Sequence, residues 1–196
     1  MAGPEASPAA RPAARPGVFV AVDPGAVRTG VAATDPAQLL ASPVATLSAS
    51  EAVDGVVTLV SDRQAVGVIV GLPLHLSGAE GTAAATARSY AGRLATALKA
   101  LTAQTEPLEQ PEQPEQPVPV YLVDERLTTV SAASALRSAG HDGRSARRVV
   151  DQAAAAALLQ GVVDAAKARG IDCSAVLDQG MGELVKVGMA RDDSGS

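Results

Sequence analysis

Acids stand at three separated places in this chain where side chains can do chemistry. Asp23 closes the apolar run Val18–Val22, and Asp124 with Glu125 closes a second run, Val118–Val123. Asp151 interrupts the apolar stretch ARRVVDQAAAAALLQ, flanked by Val149, Val150, Ala153, Ala154 and Leu158. A carboxylate at the end of a buried strand emerges where open α/β sheets bind their ligands. One on an apolar helix is costly unless it is paired or bound to metal. Brought together, such acids hold divalent ions ~3.5–4 Å apart, which clamp the attacking and leaving oxygens of a phosphodiester. Each acid also has a plain structural reading. Asp23 precedes Pro24-Gly25 and suits an Asx-turn. Asp124 and Glu125 suit an exposed strand-end salt bridge with Arg126. Asp151 suits helix-surface pairing with Arg147 or Arg148.

The basic residues divide in the same way. Arg126 follows the acidic pair and can approach phosphate. Arg137, Arg144, Arg147 and Arg148 surround the start of the last helix, where they meet phosphates or simply solvate the helix end. His75 and His141 lack metal-ligand spacing, and neither is assigned to an ion.

Elements must bring these groups together. Val18–Val22 reads as a strand buried on both faces, and Gly30–Ala33 folds back beside it across a turn. Pro43–Leu47 is a short third strand. Glu51–Arg63 places Val53, Val56, Val57 and Val60 at helical spacing, with Ser50 as N-cap. Val66–Val70 is another buried strand, stopped by Gly71-Leu72-Pro73. Residues 79–103 form an alanine-rich helix with Tyr90, Leu94, Leu98 and Leu101 on one stripe. The strand Val118–Val123 follows, then a helix from Thr128 or Thr129 to about Ala139, then a long one over Ser145–Arg169. Ala153–Ala157 would let that helix lie close on the sheet and carry Asp151 toward Asp23. The order predicts a compact α/β domain, a mixed sheet with helices on both faces, over residues 17–170.

The remainder is expected to lie outside that domain. Residues 1–16 are Pro/Ala-rich without periodicity, which predicts a disordered tail. Residues 104–117 contain EQPEQPEQP, where proline at every third position forbids helix and ladder, so an extended loop is expected. Residues 171–196 are expected as a C-terminal tail. The four glutamates of the 104–117 stretch account for all but one of the chain's five net negative charges, so charge does not exclude a polyanionic ligand. A lone cysteine, no signal-like segment and no run of ~18 apolar residues predict a cytoplasmic protein without membrane contact. Only three aromatics exist (Phe19, Tyr90, Tyr121), which argues against recognition by base stacking.

Four motifs, DPGAVRTGVAATD, VIVGLPLHLSGAEG, LVDERLTTVSA and VVDQAAAAALL, together resemble the YqgF/RuvX family of Holliday junction resolvases, in order and spacing, over about residues 18–166. The resemblance implies an RNase H-like fold with a five-stranded mixed sheet. It also implies a Mg²⁺- or Mn²⁺-dependent nuclease of branched DNA or precursor 16S ribosomal RNA. In the family pattern Asp23, Asp124/Glu125 and Asp151 hold the acidic positions. Asp23, Glu125 and Asp151 are the expected metal ligands, with the choice inside the Asp124/Glu125 pair left open. Arg28, Gly71, Pro73, Arg126 and Thr128 match motif positions that face substrate, and Arg147 and Arg148 join them as basic candidates. Pro24 and the EQP insertion depart from the pattern without touching the acids. Symmetrical junction resolution would call for a homodimer. Two rivals belong to other classes. One is a non-catalytic ribosome-assembly or repair factor that uses the same surface. The other is an ATPase of the actin/sugar-kinase type, for which a single ~150-residue core is too short.

Overall fold

The computed structural model describes residues 17–104, 116–127 and 144–187. The N-terminal Pro/Ala segment, nearly all of the EQP stretch and the helix expected over 128–139 lie outside the described residues. Three strands open the chain: β1 (Phe19–Pro24), β2 (Arg28–Thr34) and β3 (Ala41–Ser48). Helix α1 (Ala52–Asp62) leads to β4 (Gly67–Leu72), and α2 (Thr82–Gln104) precedes β5 (Val120–Asp124). A 3₁₀ turn over Glu125–Leu127 ends β5. Beyond it come α3 (Arg144–Arg169), a short α4 (Cys173–Val176), a π-type turn (Leu177–Met181) and β6 (Gly182–Leu184).

The sheet order is β3-β2-β1-β4-β5-β6, with β1, β4 and β5 parallel and β2, β3 and β6 antiparallel to their neighbours. The carboxyl ends of the three parallel strands therefore share one end of the sheet. Alternation sorts their side chains. Val20, Val22, Val68, Val70, Val120 and Leu122 pack with α1 and α2, whereas Phe19, Ala21, Ile69, Tyr121 and Val123 pack with α3 and α4. Burial on both faces explains why these strands read as unbroken apolar runs. The stripe on α2 behaves as its spacing predicts: Tyr90, Leu94 and Leu98 are buried in the first of these layers.

Three expectations need correction. The sheet has six strands, not five, because residues 171–187 do not form a plain tail. Asp172 caps α4 by accepting from the Ala175 amide, and β6 adds to the edge of β5. The Tyr121 hydroxyl donates to Asp178 at 2.9 Å, fastening the turn between them. Only three residues pair in β6, too few to register as a periodic pattern. The cap of α1 is Glu51, not Ser50, and it makes no side-chain cap bond. Ser50 instead shares a 3.2 Å contact with Ser48, whose hydroxyl donates to Glu51. No described helix is long and apolar enough to cross a membrane.

Candidate active site

Asp23 lies at the end of the central strand, and alternation from Phe19 and Ala21 turns it to the α3 side. Its antiparallel partner in register is Gly30. On the other side, Val22 pairs with Val70, so the next position on β4 is Gly71. Two glycines thus flank the acid, and each is needed for a close approach. A Cβ on Gly30 would fall 1.9 Å from the backbone oxygen of Asp151, so α3 rests directly on β2 there. A Cβ on Gly71 would meet Glu125 Oε1 at 2.8 Å and Leu158 of α3 at 3.3 Å. Glu125 therefore lays its carboxylate over Gly71, between β4 and α3. Asp23 comes from a segment some hundred residues before Glu125 and Asp151, yet the three acids reach the same face around these two glycines.

Asp124 does not join them. It is the last residue of β5, one position before Glu125, and by alternation its side chain belongs to the α1/α2 side with Leu122. There Arg126 grips it in a fork, Nη2 to Oδ2 at 2.6 Å and Nε to both oxygens at 3.0 Å. That guanidinium holds the Asp124 carboxyl below the usual range, against the upward push of partial burial. The third nitrogen, Nη1, donates to the carbonyls of His75 and Leu76 at 3.1 and 3.3 Å. Arg126, expected to face substrate, is committed to this contact.

Arg28 is committed as well. Its Nε donates to Asp151 Oδ2 at 2.8 Å, with both side chains 29% exposed. The described partner of Asp151 is thus 123 residues away and not a neighbour on its own helix. Pro73 follows β4 directly and begins the loop to α2. Thr128 lies outside the described residues, and so do the side chains of Arg147 and Arg148, whose backbone is in the first turns of α3. Among the described residues no three His, Cys, Asp or Glu side chains are gathered closely enough to hold a metal ion. The acids share a face, but Asp151 is held by Arg28. Gly30 is a position of this candidate site that residue-type reasoning missed. Its signal was a glycine inside a strand pattern, which often marks a close backbone approach.

All three aromatics are buried: Phe19, Tyr90 and Tyr121 are each no more than 5% exposed. Burial pushes the Tyr121 phenol up to about 12 and the Cys173 thiol likewise to about 12, so neither is a ready proton donor or nucleophile near neutral pH.

Residues 17–165 match the model of the family described as RuvX: Holliday junction resolvase. A Nocardioides protein named "Putative pre-16S rRNA nuclease" is 42% identical over 160 residues, covering 79% of this chain and 92% of that one. A Thermobifida fusca protein of the same name is 45% identical over 156 residues, covering 76% and 87%. Among solved structures, T. thermophilus RuvC in complex with a Holliday junction substrate matches with a TM-score of 0.51 at 16% identity. The match covers 86% of this chain and 99% of that one. At that identity the likeness bears on the fold alone, which is RNase H-like. With the family match running from β1 into α3, across every acid of the site, the chain belongs to the RuvX family and is a nuclease of that family.

Proposed function

We propose that this protein is a divalent-metal-dependent endonuclease that cuts phosphodiester bonds in precursor 16S ribosomal RNA, with Asp23, Glu125 and Asp151 as its metal ligands. The observation that carries the reading is the delivery of three acids to one face around Gly30 and Gly71. The donor set fits such an ion. It consists of carboxylate oxygens, the ligands that Mg²⁺ and Mn²⁺ prefer. Gly71 leaves room for the Glu125 carboxylate, and Asp151 already takes a cationic partner in Arg28. When bound, a divalent ion there would lower the pKa of the attacking water and stabilise the leaving oxygen.

The remaining work falls to the chain itself. Asp23 stands on a strand paired on both sides, so its position is fixed by the sheet. Asp151 stands on α3, seated against β2 through Gly30. Arg28 neutralises Asp151 and, released from it, is within side-chain reach of a phosphate at the same place. Buried aromatics leave no stacking platform, so recognition rests on phosphates and helix shape. The RNA substrate is favoured over a DNA junction because the relatives at 42–45% identity carry the rRNA name.

Asp23→Asn should abolish cleavage of an RNA spanning the 5′ end of 16S rRNA, while folding and RNA binding are kept. Undiminished Mn²⁺-dependent cleavage by the purified variant would sink the site assignment. A four-way DNA junction run beside the RNA decides the substrate. RNA binding without cleavage by the wild type would favour a non-catalytic assembly role.

A further inference from the structure

The loop between β4 and α2, residues 73–81, leaves the sheet at the end where Asp23 and Glu125 emerge, since Leu72 is the register partner of Asp124. It is a folded hairpin rather than a slack connection. Leu74 bridges Glu80, the His75 amide donates to Ala79 at 3.0 Å, and the Gly78 amide donates to His75 at 2.8 Å. Gly78 takes φ +82°, and a Cβ on Gly81 would strike His75 Nε2 at 2.7 Å. Its far leg is held by Arg88, which grips Glu80 at 2.6 Å. Its tip is held from the sheet by Arg126 Nη1 on the carbonyls of His75 and Leu76, and Arg126 is itself locked by Asp124.

These bonds order a segment that adds little to the core. Leu76, at the tip, is 97% exposed. A single exposed leucine is ordinary. A loop pinned on one leg and at its tip, with that leucine held out at the end of the sheet where the carboxylates emerge, is a preorganised contact. Apolar tips of this kind press against sugars and partly unstacked bases where a helix is bent or ends.

We propose that Asp124 is a positioning residue and not a metal ligand: through Arg126 it latches the 73–81 loop so that Leu76 meets nucleic acid beside the Asp23–Glu125–Asp151 face. This rests on the reading of that face as a nucleic-acid site, and on no metal-dependent step. It explains why adjacent acids in one motif face opposite sides of the sheet. Glu125 turns to α3, and Asp124 turns to the loop.

The test is binding of two labelled probes in EDTA, the RNA spanning the 16S 5′ end and a four-way DNA junction, followed by a separate Mn²⁺ titration of the protein alone. Leu76→Ser and Asp124→Asn should each weaken binding of the preferred probe by about fivefold. The double variant should be no weaker than Asp124→Asn alone, because both remove one contact. Mn²⁺ affinity should be unchanged in all three. Arg126→Lys should behave like Asp124→Asn, since an ammonium cannot bridge carboxylate and carbonyls as the fork does. Weaker Mn²⁺ binding by Asp124→Asn would make it a ligand and overturn the proposal. Additive losses, or full binding by Leu76→Ser, would overturn it too; that exposed substitution cannot be dismissed as unfolding. Wild-type protein that binds neither probe overturns the proposal along with the nucleic-acid reading. Wild-type protein that binds but does not cleave with metal overturns only the enzymatic reading.

Discussion

Arg28 and Asp151 form the pair on which the site's charge turns. A pair this exposed contributes about 0.2–1 kcal/mol, so its loss should hardly affect folding. Its effect on ligands should be larger, because Arg28 competes with any cation for the same carboxylate. Arg28→Met is therefore expected to tighten Mn²⁺ binding by a few-fold, read by calorimetry, while cleavage falls through loss of a phosphate contact. Unchanged Mn²⁺ affinity would mean that Asp151 is not a ligand. At this scale the sequence named the acids and left Asp124 and Glu125 unresolved. Their separation follows from strand alternation, which the order of residues contains but which needs the direction of one neighbour to be read.

Helix α3 gains its position from contact with β2, and that contact runs through Gly30. Adding a methyl group 1.9 Å from the Asp151 carbonyl must push the helix off the sheet. Gly30→Ala should cost about 1–3 kcal/mol of stability as an overpacked site, and should weaken Mn²⁺ binding because Asp151 moves with the helix. Gly92 on α2 is the control. Nothing lies within 4 Å of a Cβ there, so Gly92→Ala should stabilise by about 0.5–1 kcal/mol through helix propensity. Urea denaturation of the two variants checks both signs. The alanines of α3 were legible as a close-packing stripe; the glycine that receives the helix backbone at Asp151 was not, because its partner is some 120 residues away.

For the whole molecule, the α1/α2 layer is tied to the β6 edge of the sheet by Arg88 of α2, which binds Glu80 before that helix and Glu183 on β6. Its guanidinium holds both carboxyls below their ordinary value of 4.5. Groups depressed in the folded state contribute stability above their unfolded value, and that contribution is lost as pH falls through the folded values. Arg88→Met should therefore lower Tm at pH 7, with the gap to wild type closing as the pH falls below the carboxyls' ordinary value and through their depressed folded values. A gap that stays constant with pH would assign the effect to packing of the arginine stem. On the opposite flank Gln38, at φ 56°, ties Gly17, just before β1, to α4, donating to the Gly17 carbonyl and accepting from the Cys173 amide. Neither the Arg88–Glu183 pair nor the Gln38–Cys173 bond could be read from local sequence, since each joins residues far apart in the chain.

By itself the sequence determined the strands β1, β4 and β5, the amphipathic helices, and the acids at the strand ends and on α3. Those features arise from residue periodicity and burial, which are local. It also carried the four motifs whose family the later comparison confirmed. The tertiary structure decided what depends on register and long-range contact. It added a sixth strand from residues expected as a tail, and it seated α3 on Gly30 to bring Asp151 toward Asp23. It also parted Glu125 from Asp124, paired Arg28 with Asp151, and chose the strand-end salt bridge with Asp124 for Arg126. A carboxylate's type fixes the chemistry it can do, whereas the neighbour it meets is set by the strand or helix packed across from it.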